Sequence, residues 1–302
     1  MQIDLDIPRP TWDLALTAHP AALQQDWSYG EAVERLGGRV IRAGLVEDGV
    51  LIALAQFTAR KIGGLVSMAL CTRGPVWLEA VSETTRAASY AALKRGLGQG
   101  WPRVVMFTPD AETDAGARRM SRVMTGYSTV ILDLDQPLEA IRAGLEQKWR
   151  NALNTAEKRG VEAVLGGTKP AQYRWLLDSE EGQRAARGYR ATPAALVPEY
   201  VAARQDRDSL MVLRVDAGKQ RQAAMLFLVH GCAATYQIGW LDHEAAPRGA
   251  HNRLLWEAVV RLRERGVRQL DLGGVNTVHG AGIARFKIGT GGRVTTLAGT
   301  FL

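Results

Sequence analysis

One order of apolar segments occurs twice in this chain and restricts the folds that it can adopt. In each half, three apolar runs separated by turn residues come first, then an amphipathic helix, then another apolar strand. The runs of the first half are RVIRAGLV, GVLIALAQF and GGLVSMALC, followed by a helix at 83–97 and a strand from Arg103. Those of the second half are SLMVLRV, QAAMLFLVH and CAATYQIGW, followed by a helix at 252–265 and the strand VRQLDL. Hairpin turns between such runs predict two antiparallel meanders, each continued by a helix and a strand. The fold class is therefore α/β (α+β), with one architecture repeated.

The composition fits packed globular domains. The chain has 302 residues, more than one domain usually contains, and 46% of them are hydrophobic. Cys71 and Cys232 stand alone, which indicates neither a zinc site nor a disulfide framework and is typical of a reducing compartment. The N-terminus lacks the apolar core of a signal peptide, and no run reaches the roughly 18 apolar residues of a membrane span. We expect a cytoplasmic protein without an integral membrane segment.

The charge balance favours anionic partners. Lys and Arg number 38 against 31 Asp and Glu, a formal net charge of +7. Such an excess attracts nucleic acid or phosphate groups without selecting among them. The excess of arginine over lysine is equally typical of a GC-rich genome, so both interpretations stay open.

A basic helix is predicted near the middle of the chain. Apolar side chains recur with helical spacing at Leu138, Ile141, Leu145, Trp149, Leu153 and Ala156, and Gly160 ends the pattern. The polar side carries Lys148, Arg150 and Lys158, among other basic residues. This face is either ordinary solvated surface or a track for phosphates.

A glycine-rich segment runs from Asp271 to Gly292, DLGGVNTVHGAGIARFKIGTGG, and contains seven glycines among 22 residues. Two glycine clusters enclose Arg285, Phe286 and Lys287. We predict a loop here, in which a lysine held beside an aromatic ring can meet an anion or a developing oxyanion. The alternative is a turn-rich connection with an exposed lysine.

Three motifs, in this order along the chain, resemble the FemAB family of aminoacyl-tRNA-dependent peptidyltransferases. The first is QQDWSYGEA at Gln24 followed by RGPVW at Arg73, and the second is KWRNALNTAEKRGVEA from Lys148. The third is a helix, a strand ending in Asp271-Leu-Gly-Gly, the pair Phe286-Lys287 and the final G-x-G-G. The resemblance implies two tandem GNAT-like domains with mixed, mainly antiparallel sheets. Their expected extents are 1–143, completed by 293–302, and 144–292.

The resemblance also implies an activity: transfer of an amino acid from aminoacyl-tRNA to an amine, most simply in a peptidoglycan precursor, which can be a lipid-linked substrate reached peripherally at a membrane. Lys287 would then stabilise the oxyanion, with Phe286 beside the acceptor channel. The implied contacts to the substrate are at Arg184, Arg187, Tyr189, Asn276 and Arg285, and those to the phosphates of tRNA at Lys148, Arg150, Lys158 and Arg248. For Arg184, Arg187 and Tyr189, solvated surface is an equal alternative.

Two departures from related patterns keep other functions open. Several family members carry a lysine after the N-terminal glutamine-aromatic segment, whereas Ala32, Val33 and Glu34 stand here. Pro247 to Asn252 holds only a fragment of the GNAT motif that cradles the pyrophosphate of coenzyme A. The alternatives are an N-acyltransferase using acyl-CoA or an acyl carrier, in surface polysaccharide or small-molecule biosynthesis, and a basic nucleic-acid-binding module. The five histidines lack metal-binding spacing, so we expect neither a metal nor another cofactor.

Overall fold

A computed structural model describes residues 1–98, 100–187, 193–277 and 280–302. They form two compact units, the first built from Met1–Ser128 and Thr295–Leu302 and the second from Thr129–Val294. The compact units divide ahead of the expected boundary at residue 143 because the strand from Ser128 pairs within the second sheet.

The elements before residue 128 are β1 (Gln2–Asp4), α1 (Arg9–Ala18), α2 (Trp27–Arg35), β2 (Arg39–Glu47), β3 (Val50–Ile62), β4 (Val66–Thr72), β5 (Val76–Trp77), α3 (Glu83–Gly96), β6 (Arg103–Thr108) and β7 (Arg122–Met124). The remaining elements are β8 (Ser128–Asp133), α4 (Leu138–Gly144), α5 (Gln147–Lys158), β9 (Val164–Leu165), α6 (Pro170–Arg187), α7 (Leu196–Arg204), β10 (Leu210–Ala217), β11 (Gln220–His230), β12 (Ala233–Leu241), α8 (Ala250–Glu264), β13 (Gln269–Gly274), α9 (Ala281–Ile288), β14 (Arg293–Thr296) and β15 (Thr300–Phe301).

The first sheet has the order β1-β2-β3-β4-β6-β15-β7, and β5 pairs with β3. Asp48 and Gly49 take positive φ angles of 51° and 81° in the turn between β2 and β3, which suits a tight hairpin. The chain leaves β4, passes through α3 and returns as the parallel strand β6. The rings of Phe57, Tyr90 and Phe107 pack in edge-to-face pairs in the core beneath α3.

The second sheet repeats this plan in the order β14-β8-β13-β12-β11-β10-β9. The meander β10-β11-β12 is antiparallel, and the chain returns through α8 to β13, which runs parallel to β12. Leu254, Leu255 and Leu262 of α8 are buried in the core over this sheet. The predicted fold class, tandem meander–helix–strand domains with mixed, mainly antiparallel sheets, is thus confirmed.

The predicted central helix is two helices. Its apolar residues do form a buried face, but α4 ends at Gly144 and α5 begins at Gln147. Leu145 and Glu146 between them are extended, with ψ angles of 136° and 146°. The Glu146 amide donates to the Gly289 carbonyl at 2.9 Å, so a distant segment replaces the helical hydrogen bond at this point.

Within the described residues, no helix is both long and apolar enough to cross a membrane.

Candidate active site

The second sheet opens where β12 and β13 separate. Their parallel register runs from Ala233 opposite Gln269 to Thr235 opposite Asp271. Beyond this point β12 stays with β11, whereas β13 pairs Gly274 with Thr129 on β8. Beyond the end of this pairing, Lys287 contacts the Gly274 carbonyl at the end of β13 and lies near Tyr236 of β12.

The segment that carries Lys287 is a helix, where a loop was predicted. Ala281–Ile288 forms α9, with Phe286 half-buried and Lys287 buried. The Trp149 indole nitrogen on α5 donates to the Phe286 carbonyl at 3.1 Å, and the two rings lie 5.8 Å apart. The glycines predicted a loop, but contacts with α5 provide the packing that makes a short helix stable.

The glycines that follow α9 lie close to the break between α4 and α5, where a larger residue would not fit. Gly291 has a φ of 75°, and a side chain there would overlap the Gly144 carbonyl. The G-x-G-G motif therefore joins α9 to the break in the central helices.

The ammonium group of Lys287 lies at the opening between β12 and β13. Only 9% of the residue is exposed. Its Nζ donates to the Gly274 carbonyl at 2.9 Å and lies 5.9 Å from the centre of the Tyr236 ring. An ammonium has three N–H donors, and Gly274 is its one hydrogen-bond partner among the described residues.

Burial lowers the pKa of Lys287 from 10.5 to about 8, against the opposing influence of the Asp271 carboxylate. Asp271 is itself buried and accepts hydrogen bonds from the Thr129 hydroxyl at 2.6 Å and the Gly273 amide at 2.7 Å. These bonds shape the turn that presents the Gly274 carbonyl to Lys287. The lysine is therefore largely charged at neutral pH, with its charge little solvated.

Aromatic side chains cluster around Phe286, the neighbour of this lysine on α9. The Phe286 ring lies 5.8 Å from Trp149 and 6.0 Å from His251. A ring nitrogen of His251 is 2.9 Å from the Trp240 carbonyl, and burial lowers the pKa of this histidine. Tyr236, Trp149 and His251 were not predicted as site residues. Trp149 is on a helix face whose periodicity indicated only core, His251 precedes the helix predicted at 252–265, and Tyr236 lies in an apolar strand.

The other predicted substrate contacts belong to two segments of the chain, one around α9 and one from the end of α6 onward. Asn276, which lies between β13 and α9, and Arg285, which lies on α9, are both exposed. Arg184 and Arg187 fall at the end of α6, where side chains lie outside the described part of the chain, and Tyr189 lies outside the described residues.

The basic residues predicted to meet phosphates are on the surface of the second unit. Lys148, Lys158 and Arg248 are exposed, and Arg150 is half-buried. Arg248 adjoins α5, since a side chain on the next residue, Gly249, would overlap the Ala152 carbonyl.

The same contact involves the turn that would bind the pyrophosphate of coenzyme A. Gly249 has a φ of 84° and stands at the N-terminus of α8, the position of the pyrophosphate turn in GNAT proteins. Here the backbone of α5 packs directly against Gly249, so this turn forms part of the contact between α5 and α8.

In the first unit, the two N-terminal motifs pack on each other. Gln25 is fully buried, and its amide donates to the carbonyls of Thr72 at 2.8 Å and Gln56 at 3.1 Å. A side chain on Gly74 would come within 2.6 Å of Gln25. These motifs thus stabilise the unit by linking the chain before α2 to β3 and to the end of β4.

A cavity of about 270 Å³ lies beside them, lined in part by Arg73, Trp77 and Arg86. Arg73 pairs with Asp110 at 2.7 Å and Arg86 with Asp114 at 3.4 Å, so the charges of this cavity are compensated.

Comparisons with known proteins agree with this architecture. Residues 142–287 match the family model described as "Acetyltransferase (GNAT) domain". The crystal structure of FemX is similar over 100% of this chain and 96% of its own, with 15% sequence identity and a TM-score of 0.81. L-PGS from Bacillus licheniformis matches over 97% of this chain and 91% of its own, with 14% identity and a TM-score of 0.57.

A domain assigned to a lysylphosphatidylglycerol synthetase from Agrobacterium fabrum matches over 96% of this chain and 91% of its own, with 16% identity and a TM-score of 0.55. Sequence comparison with curated proteins finds no match. The chain thus has the fold of FemX over its whole length and a match to the GNAT domain model at residues 142–287, and together these findings support an acyltransferase.

Proposed function

We propose that this protein transfers an amino acid from aminoacyl-tRNA to an amine, most simply in a peptidoglycan precursor, and that Lys287 stabilises the transition state. The observation that carries the proposal is the buried Lys287 ammonium at the opening between β12 and β13. FemX, which shares the fold, supports the choice of donor and acceptor.

The chemistry needs a fixed cation more than it needs a nucleophile. The neutral acceptor amine attacks the ester carbonyl, and the carbonyl oxygen becomes negatively charged. Collapse of the tetrahedral intermediate forms the amide and expels the ribose hydroxyl of tRNA; the amine loses a proton and the ribose oxygen gains one. An ammonium with unused N–H donors in a poorly solvated position would stabilise this oxyanion strongly.

The aromatic cluster of Phe286, Trp149 and His251 would exclude water from one side of the reacting ester. Exclusion of water strengthens the interaction between the ammonium and the oxyanion. It would also limit hydrolysis of the aminoacyl ester, the side reaction that such a donor invites.

The deciding experiment supplies purified protein with pooled labelled aminoacyl-tRNA and, separately, with acetyl-CoA. Acceptors are UDP-linked muropeptide, lipid-linked muropeptide and phosphatidylglycerol, the last because of the lysylphosphatidylglycerol synthetase neighbour. We expect transfer from tRNA to a muropeptide amine. Activity with acetyl-CoA and none with tRNA would instead establish the acyl-CoA-dependent alternative.

The role of Lys287 is tested in single turnover with precharged tRNA. Lys287→Ala should lower the transfer rate by about 10²- to 10³-fold, the usual loss for one oxyanion donor. Substrate binding should change little, because the interaction strengthens mainly in the transition state. Lys219→Ala, in the exposed turn between β10 and β11, is the matched control. A folded Lys287→Ala protein within about twofold of wild type would remove this residue from the mechanism.

A further inference from the structure

Three large apolar side chains project from one end of the first unit. Leu65 is 78% exposed, Trp101 88% and Ile62 48%. We call these three residues the apolar tip. Exposed Trp and Leu side chains are costly in water, and when clustered they mark a surface that contacts a partner or a membrane.

The topology places the three residues at one end of the sheet. Ile62 and Leu65 flank the Gly63-Gly64 turn between β3 and β4, closed by a hydrogen bond from the Leu65 amide to the Ile62 carbonyl at 3.1 Å. Strands β4 and β6 are parallel with Ser67 opposite Arg103, and the Ser67 amide donates to the Pro102 carbonyl at 2.9 Å. Leu65 and Trp101 stand just before β4 and β6, so both lie at the same end of the sheet.

The two chain segments that carry the apolar tip are basic and contain no acidic residue. The segments 59–67 and 94–103 contain no Asp or Glu, and their basic residues are Arg60, Lys61, Lys94, Arg95 and Arg103. Arg60, Lys61, Arg95 and Arg103 are exposed, and Lys94 is half-buried. Tryptophan and leucine flanked by lysine and arginine form the chemistry of a membrane–water interface with anionic lipid headgroups.

We infer that the apolar tip docks this protein on the surface of an anionic phospholipid bilayer, with Trp101 and Leu65 entering the interface. Three side chains are far too few for a stable contact between proteins, which buries about 800 Å² per partner. They suffice for a reversible interfacial anchor assisted by basic residues. The inference is independent of the proposed acyl transfer, since the tip lies in the first unit and Lys287 in the second.

The test is sedimentation of the full-length protein with vesicles of phosphatidylglycerol and phosphatidylcholine, compared with vesicles of phosphatidylcholine alone. Wild type should bind the anionic vesicles, and less so at high salt. Trp101→Ala with Leu65→Ser should lower the partition coefficient by about tenfold or more, because two anchoring side chains are lost. Arg60→Glu with Lys61→Glu should weaken binding to anionic vesicles only.

The controls change equally exposed residues elsewhere in the first unit. Leu14→Ser, on α1, alters a side chain that is 71% exposed, and Arg118→Glu with Arg119→Glu reverses a different exposed basic pair. Because every replaced side chain is exposed, unchanged thermal melting should accompany all variants. The inference is overturned if wild type ignores anionic vesicles, or if the controls lose as much binding as the tip variants. It is also overturned if the tip variants abolish self-association or RNA binding and leave vesicle binding intact.

Discussion

Lys287 is unusual because burial disfavours its charged form, while a hydrogen bond to Gly274 holds its ammonium group in position. Burial lowers its pKa to about 8, whereas the hydrogen bond to Gly274 and the nearby Asp271 oppose complete neutralisation. A lysine on the surface would stay protonated well above pH 9 and would be screened by water. This one carries a titratable, poorly solvated charge at the candidate site.

This property predicts a pH limit on transfer. As the pH rises through about 8, Lys287 loses its proton, so the single-turnover rate should fall above this value. Lys287→Arg should be slower at every pH, because the guanidinium differs in shape. However, it should lack the fall near pH 8, since arginine stays charged there. The measurement is the rate with precharged tRNA from pH 6 to 10, and an unchanged falling limb in Lys287→Arg would assign that limb to another group.

The same residue should cost stability. Its folded pKa of about 8 is below the ordinary 10.5, so the unfolded chain binds more protons between these values and wild-type stability rises with pH across them. Lys287→Met should therefore increase the free energy of unfolding at pH 7 by about 1–3 kcal/mol. The gain should shrink between pH 8 and 10.5.

Urea unfolding at pH 7 and pH 10 measures this effect, and Lys219→Met in an exposed turn is the control. A loss of unfolding free energy in Lys287→Met at pH 7 would mean that the ammonium group stabilises the fold. A stabilised but slow enzyme would be the expected trade between activity and stability.

At the scale of elements, α5 connects the parts of the second unit that carry the candidate site. Its Trp149 indole donates a hydrogen bond to the Phe286 carbonyl of α9. The break just before it is stabilised by the Gly289 carbonyl, and its Ala152 carbonyl packs against Gly249 at the start of α8. The motif from Lys148 therefore has a structural use beyond its basic face.

The contact between α5 and α8 can be measured at Gly249. Gly249→Ala combines a positive φ of 84° with overlap at the Ala152 carbonyl, so we expect a loss of about 2 kcal/mol or more in unfolding free energy. Gly218→Ala is the matched control, with a φ of 59° and open space around the new methyl group. Equal losses in the two variants, measured by urea unfolding, would show that α8 does not need this close approach.

For the molecule as a whole, the net charge of +7 should govern binding of tRNA. Affinity should fall steeply with salt because each neutralised phosphate releases counterions. Replacing Lys148, Arg150 and Lys158 together with glutamine should weaken binding and reduce the slope of log affinity against log salt by about 2 to 3. The choice of amino acid transferred should not change.

A charge-matched triple variant at Arg118, Arg119 and Lys219 distinguishes a local track from general attraction. If it alters the slope as much as the first triple does, tRNA has no preferred site on α5. Filter binding across a range of salt concentrations gives both slopes.

The sequence by itself determined the local elements and their order. The apolar runs, the turns between them and the amphipathic helices α3 and α8 depend on neighbouring residues, and the structure confirms the repeated fold that they predict. The motifs also drew attention to Phe286 and Lys287.

Tertiary structure decided the features that depend on contacts between residues far apart in the sequence. The break at Leu145 and Glu146 depends on the Gly289 carbonyl, and the helical state of α9 on Trp149, each more than a hundred residues away. The low pKa of Lys287 arises from burial at the point where β12 and β13 separate. Periodicity reports which side of an element is apolar, whereas desolvation of one ammonium depends on everything that packs around it.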